Sequence, residues 1–566
     1  MILNIIVMYI LAELKLDVRP KRTESEKNSL WKCYSFDKYE KLAKENKTTP
    51  THSRYIEYIS RQLKGSLEQY DYTIEEVLTF LSNIEEIPSM SESFKEERVI
   101  CLGEHLTKDE ITKINKLLNK YNKVLASNSS ELTCANVLPH EIDTGDSKLV
   151  KGALYQSPPV FDEFVKKEID NLLRDGLIKE SKSPWRSPIW IVKREGKLRL
   201  VVDYRKTNKV TKKDTLPLPR IDQTLEKLKG ATIYTSVDLK KGFWQVPMAE
   251  KDRCKTAFST KYGTYEFLVM PFGLTNAPVT FQRMMNKLLE DYIGKFVEVY
   301  VDDIIIYSKN FEEHLIHLEK VFKALNEVNL KLSIEKSKFC QKEVKFLGHI
   351  VSEQGIKVDE KKIQSIKEFP IPKNLRELRE FLGLASYYRK FIEKFSHVAK
   401  PLNILLKKDV KYNWNEKCQK AFEELKRRLI NAPILRYPDF KKPFYIITDA
   451  SGIGLGAILS QKDEYGREYV IEYASRSLNN AESNYSAQEL ECLAVYWAVE
   501  HFYPYIGYNK FYLVTDNAAL KWLHTSGLKQ RRGRWIHMLQ EYDFEVIHRA
   551  GKKNTNADAL SRIPQY

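Results

Sequence analysis

Short runs in which apolar and polar residues alternate stand out along this chain, and each predicts a strand. IYTSV leads into Asp238, FVEVYVDDIIIYS spans residues 296–308, and FYIITDAS and FYLVTDNAAL begin at Phe444 and Phe511. Around them, apolar positions recur near the helical period. Leu106, Ile111, Ile114, Leu117 and Leu118 share one face of LTKDEITKINKLLNKY, residues 106–121. Leu490, Leu493, Ala494, Trp497 and Ala498 do the same in SAQELECLAVYWAVEHF, residues 486–502. Strand and helix patterns alternate from about residue 138 to 350, as in an α+β body. The Pro-bearing FPIPKN at 369–374 predicts a hinge into helices that end near Ala432, and a second α/β block follows from Phe444.

Composition changes this picture in three ways. A chain of 566 residues exceeds what one core serves, so several folded units are expected. Its 92 Lys+Arg against 76 Asp+Glu give a net charge of +16, which suits a polyanionic partner without establishing one. The seven cysteines are scattered and never form a CxxC pair, which excludes a disulfide framework or a zinc knuckle and points to a reducing compartment. The apolar opening run, Met1 to Ala12, stops short of the roughly 20 residues of a membrane span and lacks the marks of a signal peptide. It reads as a buried element or the scar of a truncated frame, and no membrane partner is expected.

The candidate chemistry lies in carboxylates placed at strand ends. Asp238 closes one β-type run, and Asp302 and Asp303 sit between two more, so YVDD reads as a hairpin with its acids at the turn. Two strands that bring carboxylates to one end of a sheet can hold two Mg²⁺ about 3.5–4 Å apart. Asp in a turn is common, and a lone pair of acids decides nothing. After residue 440 four more acids recur: Asp449 and Asp516 at the ends of β-rich runs, Glu491 on a helix, and Asp558 in GKKNTNADALSR. Glu489 is a rival for Glu491, but two helical residues turn it about 200° to another face.

The motifs around these acids carry a resemblance. SPWRSPIWIVKREGKLRLVVDYRKTNKVT, LPLPRIDQTLEKLKGATIYTSVDLKKGFWQVPM, KTAFSTKYGTYEFLVMPFGLTNAPVTFQRMMN and VYVDDIIIYS occur in this order. Together they resemble the polymerase of gypsy-type LTR retrotransposons, over roughly the last three quarters of the chain. The resemblance implies a reverse transcriptase joined to a ribonuclease H. Asp238 and Asp302 would then be the metal-binding pair and Asp303 the ancillary carboxylate. Arg199 would meet the incoming triphosphate, with Lys193 as a companion. Phe243 would stack beneath the sugar and exclude a ribose 2′-OH. Phe272 and Gly273 would lie beside the templating pair, and Leu347 and Gly348 would grip the primer terminus. Asp449, Glu491, Asp516 and Asp558 would form the four-acid metal centre of the nuclease, with His548 either assisting product release or simply solvated. RRGRW, residues 531–535, could track a nucleic-acid backbone or be a solvated charge run.

HEIDTGDS holds the Asp143-Thr144-Gly145 tripeptide of aspartic proteases, but no protease-length β-rich chain surrounds it, and in gypsy-type elements the tripeptide is a lead-in to the polymerase. The expected architecture is multidomain α+β, a right-hand polymerase followed by a connection and an α/β ribonuclease H-like domain. Its expected parts are a helical extension of unknown role at 1–135, fingers and palm at 136–310, a thumb-like segment with the primer grip at 311–368, a connection without chemistry at 369–438, and the nuclease at 439–566. The expected cofactor is Mg²⁺, two ions per centre, with Mn²⁺ as a substitute. The expected partners are template and primer of RNA or DNA, the RNA·DNA hybrid and deoxynucleoside triphosphates, besides further copies or polyprotein neighbours. The expected setting is intracellular, in a cytoplasmic retroelement particle and the nucleus. A decayed or host-adopted nucleic-acid-binding remnant is the alternative, and the intact set of acids argues against it.

Overall fold

The runs Ile233–Asp238 and Asp303–Ser308 form the expected strands but are buried on both faces: Ile233, Val237, Ile304 and Ile306 fill one core, Tyr234, Ile305 and Tyr307 another, and the strand ends carry the acids. The computed structural model describes residues 100–126, 134–153, 155, 158–194, 196–507, 509–516 and 531–549. The first sheet has the order Cys101–Leu102, Lys338–Gln341, Ile233–Asp238, Asp303–Ser308, Val297–Tyr300. Its central strands are antiparallel, with Asp303 paired to Asp238 and Tyr300 to Asp303. Helices Ala277–Leu288 and Phe311–Glu327 contribute Phe281, Met285, Leu318, Phe322 and Leu325 to the core beneath it.

The boundary expected at residue 135 moves to about residue 100. Cys101–Leu102 pairs in parallel with Lys338–Gln341 in this sheet. Helix Lys108–Lys120 starts on a reciprocal cap, in which Thr107 Oγ1 accepts the Glu110 N–H and Glu110 Oε2 accepts the Thr107 N–H. Its Ile114 and Leu118 are buried in the palm core, and Lys113 and Lys120 pair with Glu312 and Glu319. The rest of the expected extension, residues 1–99, lies outside the described residues.

A second sheet, ordered Ile178–Glu180, Gly263–Phe267, Phe258–Thr260, Ser187–Arg194, Lys197–Val202, forms the fingers, and helix Asp162–Arg174 packs Val165, Ile169 and Leu172 against it. Three antiparallel strands, Glu343–Phe346, His349–Ser352 and Gly355–Val358, follow the palm. They share one apolar cluster with the helices Leu375–Tyr387, Phe395–Ile404 and Glu416–Ile430. The hinge expected at 369–374 joins helix Glu360–Lys367 to helix Leu375–Tyr387, which Asn374 caps by accepting the Arg376 and Glu377 N–H groups.

The last sheet has the order Glu468–Ser477, Gly454–Lys462, Phe444–Ala450, Phe511–Thr515, Phe544–His548, antiparallel through the first three strands and parallel from there. Helix Ala487–Ile506 packs on it through Cys492, Val495, Val499 and Phe502. Among the described residues no cysteine is in a disulfide, and no helix is long and apolar enough to cross a membrane.

Candidate active sites

Tyr300 and Asp303 pair directly, so the hairpin between the two palm strands is closed by Val301 and Asp302 alone. Such a tight loop needs positive φ, and Val301 supplies it at 51°, a conformation a β-branched residue rarely adopts. A buried glutamine holds it there. Gln282 Oε1 accepts the Val301 N–H at 2.7 Å, while its Nε2 donates to Val299 O at 3.2 Å and to Asn286 Oδ1 at 2.8 Å. The strained turn fixes the direction of Asp302, and the strand register fixes Asp238 and Asp303.

The three acids are close enough to repel. Burial, then Asp238 and Asp303, push the Asp302 carboxyl up to about 6. Asp303 is raised as well, by burial first and Asp238 second. Asp302 Oδ1 is buried without a hydrogen-bond partner. Lys336 Nζ stands 3.3 Å from Asp238 Oδ1 and offsets part of this charge. An orphaned, buried carboxylate oxygen among mutually repelling acids is a site that a divalent cation would satisfy.

The acids of the last sheet are brought together in the same manner. Asp449 lies in Phe444–Ala450, Asp516 directly follows the neighbouring parallel strand Phe511–Thr515, and Glu491 comes down from the helix on top. Burial, then Asp516 and Asp449, raise the Glu491 carboxyl to about 7, against the Ala450 N–H that donates to it. Glu491 Oε2 has no partner and is buried. Glu489 is otherwise engaged: its Oε2 accepts the Ser486 N–H at 2.9 Å and the Ser486 hydroxyl at 3.0 Å, closing a capping box at the helix start. Asp558 lies outside the described residues. His548 Nε2 is 3.0 Å from Asp516 O, exposed at the rim. Among the described residues no group of three His, Cys, Asp or Glu is drawn into ligating geometry. A lysine sits on one acid of each centre instead, Lys336 on Asp238 and Lys394 on Asp449.

Phe243 is buried in the palm core and stacks on Phe272 with ring centroids 5.1 Å apart. Phe272 is 49% exposed, presenting a ring to solvent. Gly273 adopts φ 95°, and Asn208 clamps the turn by donating to Gly273 O and accepting the Thr275 N–H. On the fingers, Val192 pairs with Arg199 and Lys193 with Leu198, so the pleat turns Arg199 and Lys193 to opposite faces. Arg199 shares its exposed face with Trp190, Val192 and Val201. Lys193, itself exposed at the ribbon's end, continues the row of Ile189 and Ile191.

Leu347 and Gly348 form a two-residue turn with φ 46° and 70° between paired Phe346 and His349. Tyr387 and Tyr388 donate to Leu347 O and Gly348 O, each at 2.7 Å. Asp143 belongs to a tight polar loop, its Oδ1 accepting the Gly145 N–H and its Oδ2 paired with Lys212 at 3.1 Å. In RRGRW, Arg531 lies over the Tyr485 ring at 4.4 Å and Arg532 reaches Gln488 at 3.2 Å, beside the Glu491 helix. Sequence reasoning missed Gln282, Lys336 and Lys394, because each meets its acid or turn only through the fold.

Residues 191–351 match the family model described as reverse transcriptase (RNA-dependent DNA polymerase), and residues 414–513 match an RNase H-like domain found in reverse transcriptase. The chain is 43% identical over 471 residues to the retrovirus-related Pol polyprotein from transposon 297 of Drosophila melanogaster, across 81% of this chain and 44% of that protein. It is 38% identical over 476 residues to the one from transposon gypsy of the same organism, across 80% and 45%. The chain therefore spans less than half the length of these curated relatives. Its structure is similar to the foamy viral protease-reverse transcriptase in complex with dsDNA, with a TM-score of 0.71, 26% identity, and coverage of 79% of this chain and 95% of that one. The same viral protein in complex with an RNA/DNA hybrid gives a TM-score of 0.68 at 25% identity, covering 82% and 63%.

Proposed function

Because this chain belongs to the reverse transcriptase and ribonuclease H region of gypsy-type retrotransposon Pol polyproteins, we propose that it extends a primer with deoxynucleotides on RNA or DNA templates and hydrolyses the RNA strand of RNA·DNA hybrids. The observation that carries this reading is the pair of acid clusters, each with one buried carboxylate oxygen left without a partner. Both families are divalent-metal enzymes, and here Asp238 and Asp302, with Asp303 beside them, would hold the ions of the polymerase centre. Asp449, Glu491, Asp516 and Asp558 would hold those of the nuclease. Mg²⁺, or Mn²⁺ in its place, supplies charge that activates the attacking oxygen and steadies the leaving one.

The remaining site residues position the substrate. Arg199, on the open face of the fingers ribbon, meets the triphosphate, and the pleat makes Lys193 the poorer candidate. Phe243, locked by its stack on Phe272, offers a rigid floor that a ribose 2′-OH would strike. Phe272 and Gly273 flank the templating pair, and the tyrosine-braced turn at Leu347 and Gly348 meets the primer end. The duplexes held by the viral neighbour support template, primer and hybrid as partners, and the net charge of +16 fits them. In this reading the chain works inside the cell, in a retroelement particle.

Primer extension on an RNA template and cutting of a labelled hybrid test this on three proteins. Asp302→Asn is expected to lose synthesis alone, and Asp449→Asn to lose RNA cutting alone. Equal activity in both variants would overturn the two-centre reading.

A further inference from the structure

The connection reaches into the nuclease centre. Its helix Phe395–Ile404 lies against the nuclease sheet through specific polar contacts: the Ser396 N–H donates to Ser475 Oγ at 2.9 Å, and His397 Nε2 is 2.6 Å from Ser451 Oγ. Lys394 precedes this helix at φ 52°, a left-handed conformation that a lysine keeps only where its surroundings hold it. Its stem passes over Gly456, where a Cβ would lie 3.6 Å from Lys394 Cγ. Gly456 is the cross-strand partner of Asp449, so the lysine lies across that strand pair. Its Nζ ends 2.5 Å from Asp449 Oδ2.

An ammonium on that oxygen opposes a divalent ion there, through like charge and by holding one of its lone pairs. We propose that Lys394 is a competing cation for the nuclease centre, anchored in the connection, which occupies Asp449 Oδ2 until a divalent ion displaces it. This rests on the reading of Asp449, Glu491 and Asp516 as metal-binding acids. The lysine neutralises one acid of a mutually repelling set, so the cluster stays assembled before metal arrives. Both side chains of the pair are open to solvent, at 42% and 45% exposure, which keeps it weak enough to be displaced. Ser396 and His397 are held just after Lys394, and Arg428 donates to Glu393 O at 2.7 Å just before it, so the displaced ammonium remains within reach and returns when the ion leaves. Lys394 is thus a positioning residue, and the nuclease depends on the connection for it.

The test is Mn²⁺ binding by the whole chain without nucleic acid, followed by the EPR signal of the free ion. An Asp302→Asn background weakens the polymerase centre so that the nuclease sites dominate. Lys394→Gln is expected to bind Mn²⁺ at an about threefold lower concentration than its parent, with the gap shrinking as salt rises. Lys394→Met, which keeps the stem on Gly456, is expected to follow it, and Lys394→Arg to stay near the parent. Equal or weaker binding by both neutral variants overturns the proposal. Asp449→Asn separates the two levels: if it weakens binding while the neutral variants do not strengthen it, competition alone falls, and if it changes nothing, the assignment of the acids falls with it.

Discussion

Asp238 and Asp303 stand directly opposite each other in one antiparallel strand pair, so their spacing is set by sheet register. Asp302 has no such support, since it stands in the turn. Two palm acids are thus held by many ladder bonds, and the third depends on one strained residue and the glutamine beneath it. The polymerase centre should accordingly be sensitive to changes at that glutamine.

Gln282→Leu keeps the volume of a fully buried side chain but removes the acceptor for the Val301 N–H. Leaving a buried donor unpaired costs about 1–3 kcal/mol, and a turn that rearranges to avoid this moves Asp302. Primer extension is expected to fall about tenfold while RNA cutting is unchanged. Parallel assays of both activities, with a denaturant melt, check this, and equal extension would mean that the turn is held by other contacts.

The two glutamates at the start of the nuclease helix should separate cleanly. Glu491→Gln is expected to abolish RNA cutting, because it removes the buried carboxylate that Asp449 and Asp516 face. Glu489→Gln should leave cutting intact and lower the melting temperature slightly through a weaker cap. Hybrid cleavage and thermal melts on both variants decide the assignment.

His314 gives the chain a definite acid sensitivity. It is fully buried, with Nδ1 2.8 Å from Ser308 Oγ and Nε2 2.7 Å from Thr235 Oγ1, and burial first, then His317, lower it to about 3. The unfolded chain binds this proton near pH 6.5 and the folded chain does not, so stability is lost as pH falls from about 6.5 toward 3. His314→Gln is expected to flatten the stability profile between pH 6 and 4 by about 1.4 kcal/mol per pH unit relative to its parent. Asp302 and Glu491, being raised, act with the opposite sign, but they are present in both proteins and cancel. Denaturant melts across this range provide the measurement.

What the sequence made legible was local. Acids at the ends of alternating runs marked Asp238, Asp302 and Asp449, and helical phase chose Glu491 over Glu489; the capping box explains physically why Glu489 is engaged elsewhere. What it hid were partnerships made by the fold. Gln282 meets Val301 across 19 residues, and Lys336 meets Asp238 across 98, with no periodicity to announce either. Cys101–Leu102 is too short to show a period, and only its pairing with Lys338–Gln341 makes it part of the palm. Lys193 and Arg199 looked like companions, and two-residue periodicity in a paired ribbon turns them apart.

The apolar cluster that begins at Leu225 and Tyr234 under the palm continues through Phe346 and Phe381 to Tyr473 in the nuclease sheet without a break. The two acid clusters are therefore two marks on one ruler. In the proposed reading, a duplex lying across both would meet the second mark a fixed number of base pairs behind the first, and each step of the primer would shift by one the RNA phosphate presented for cutting.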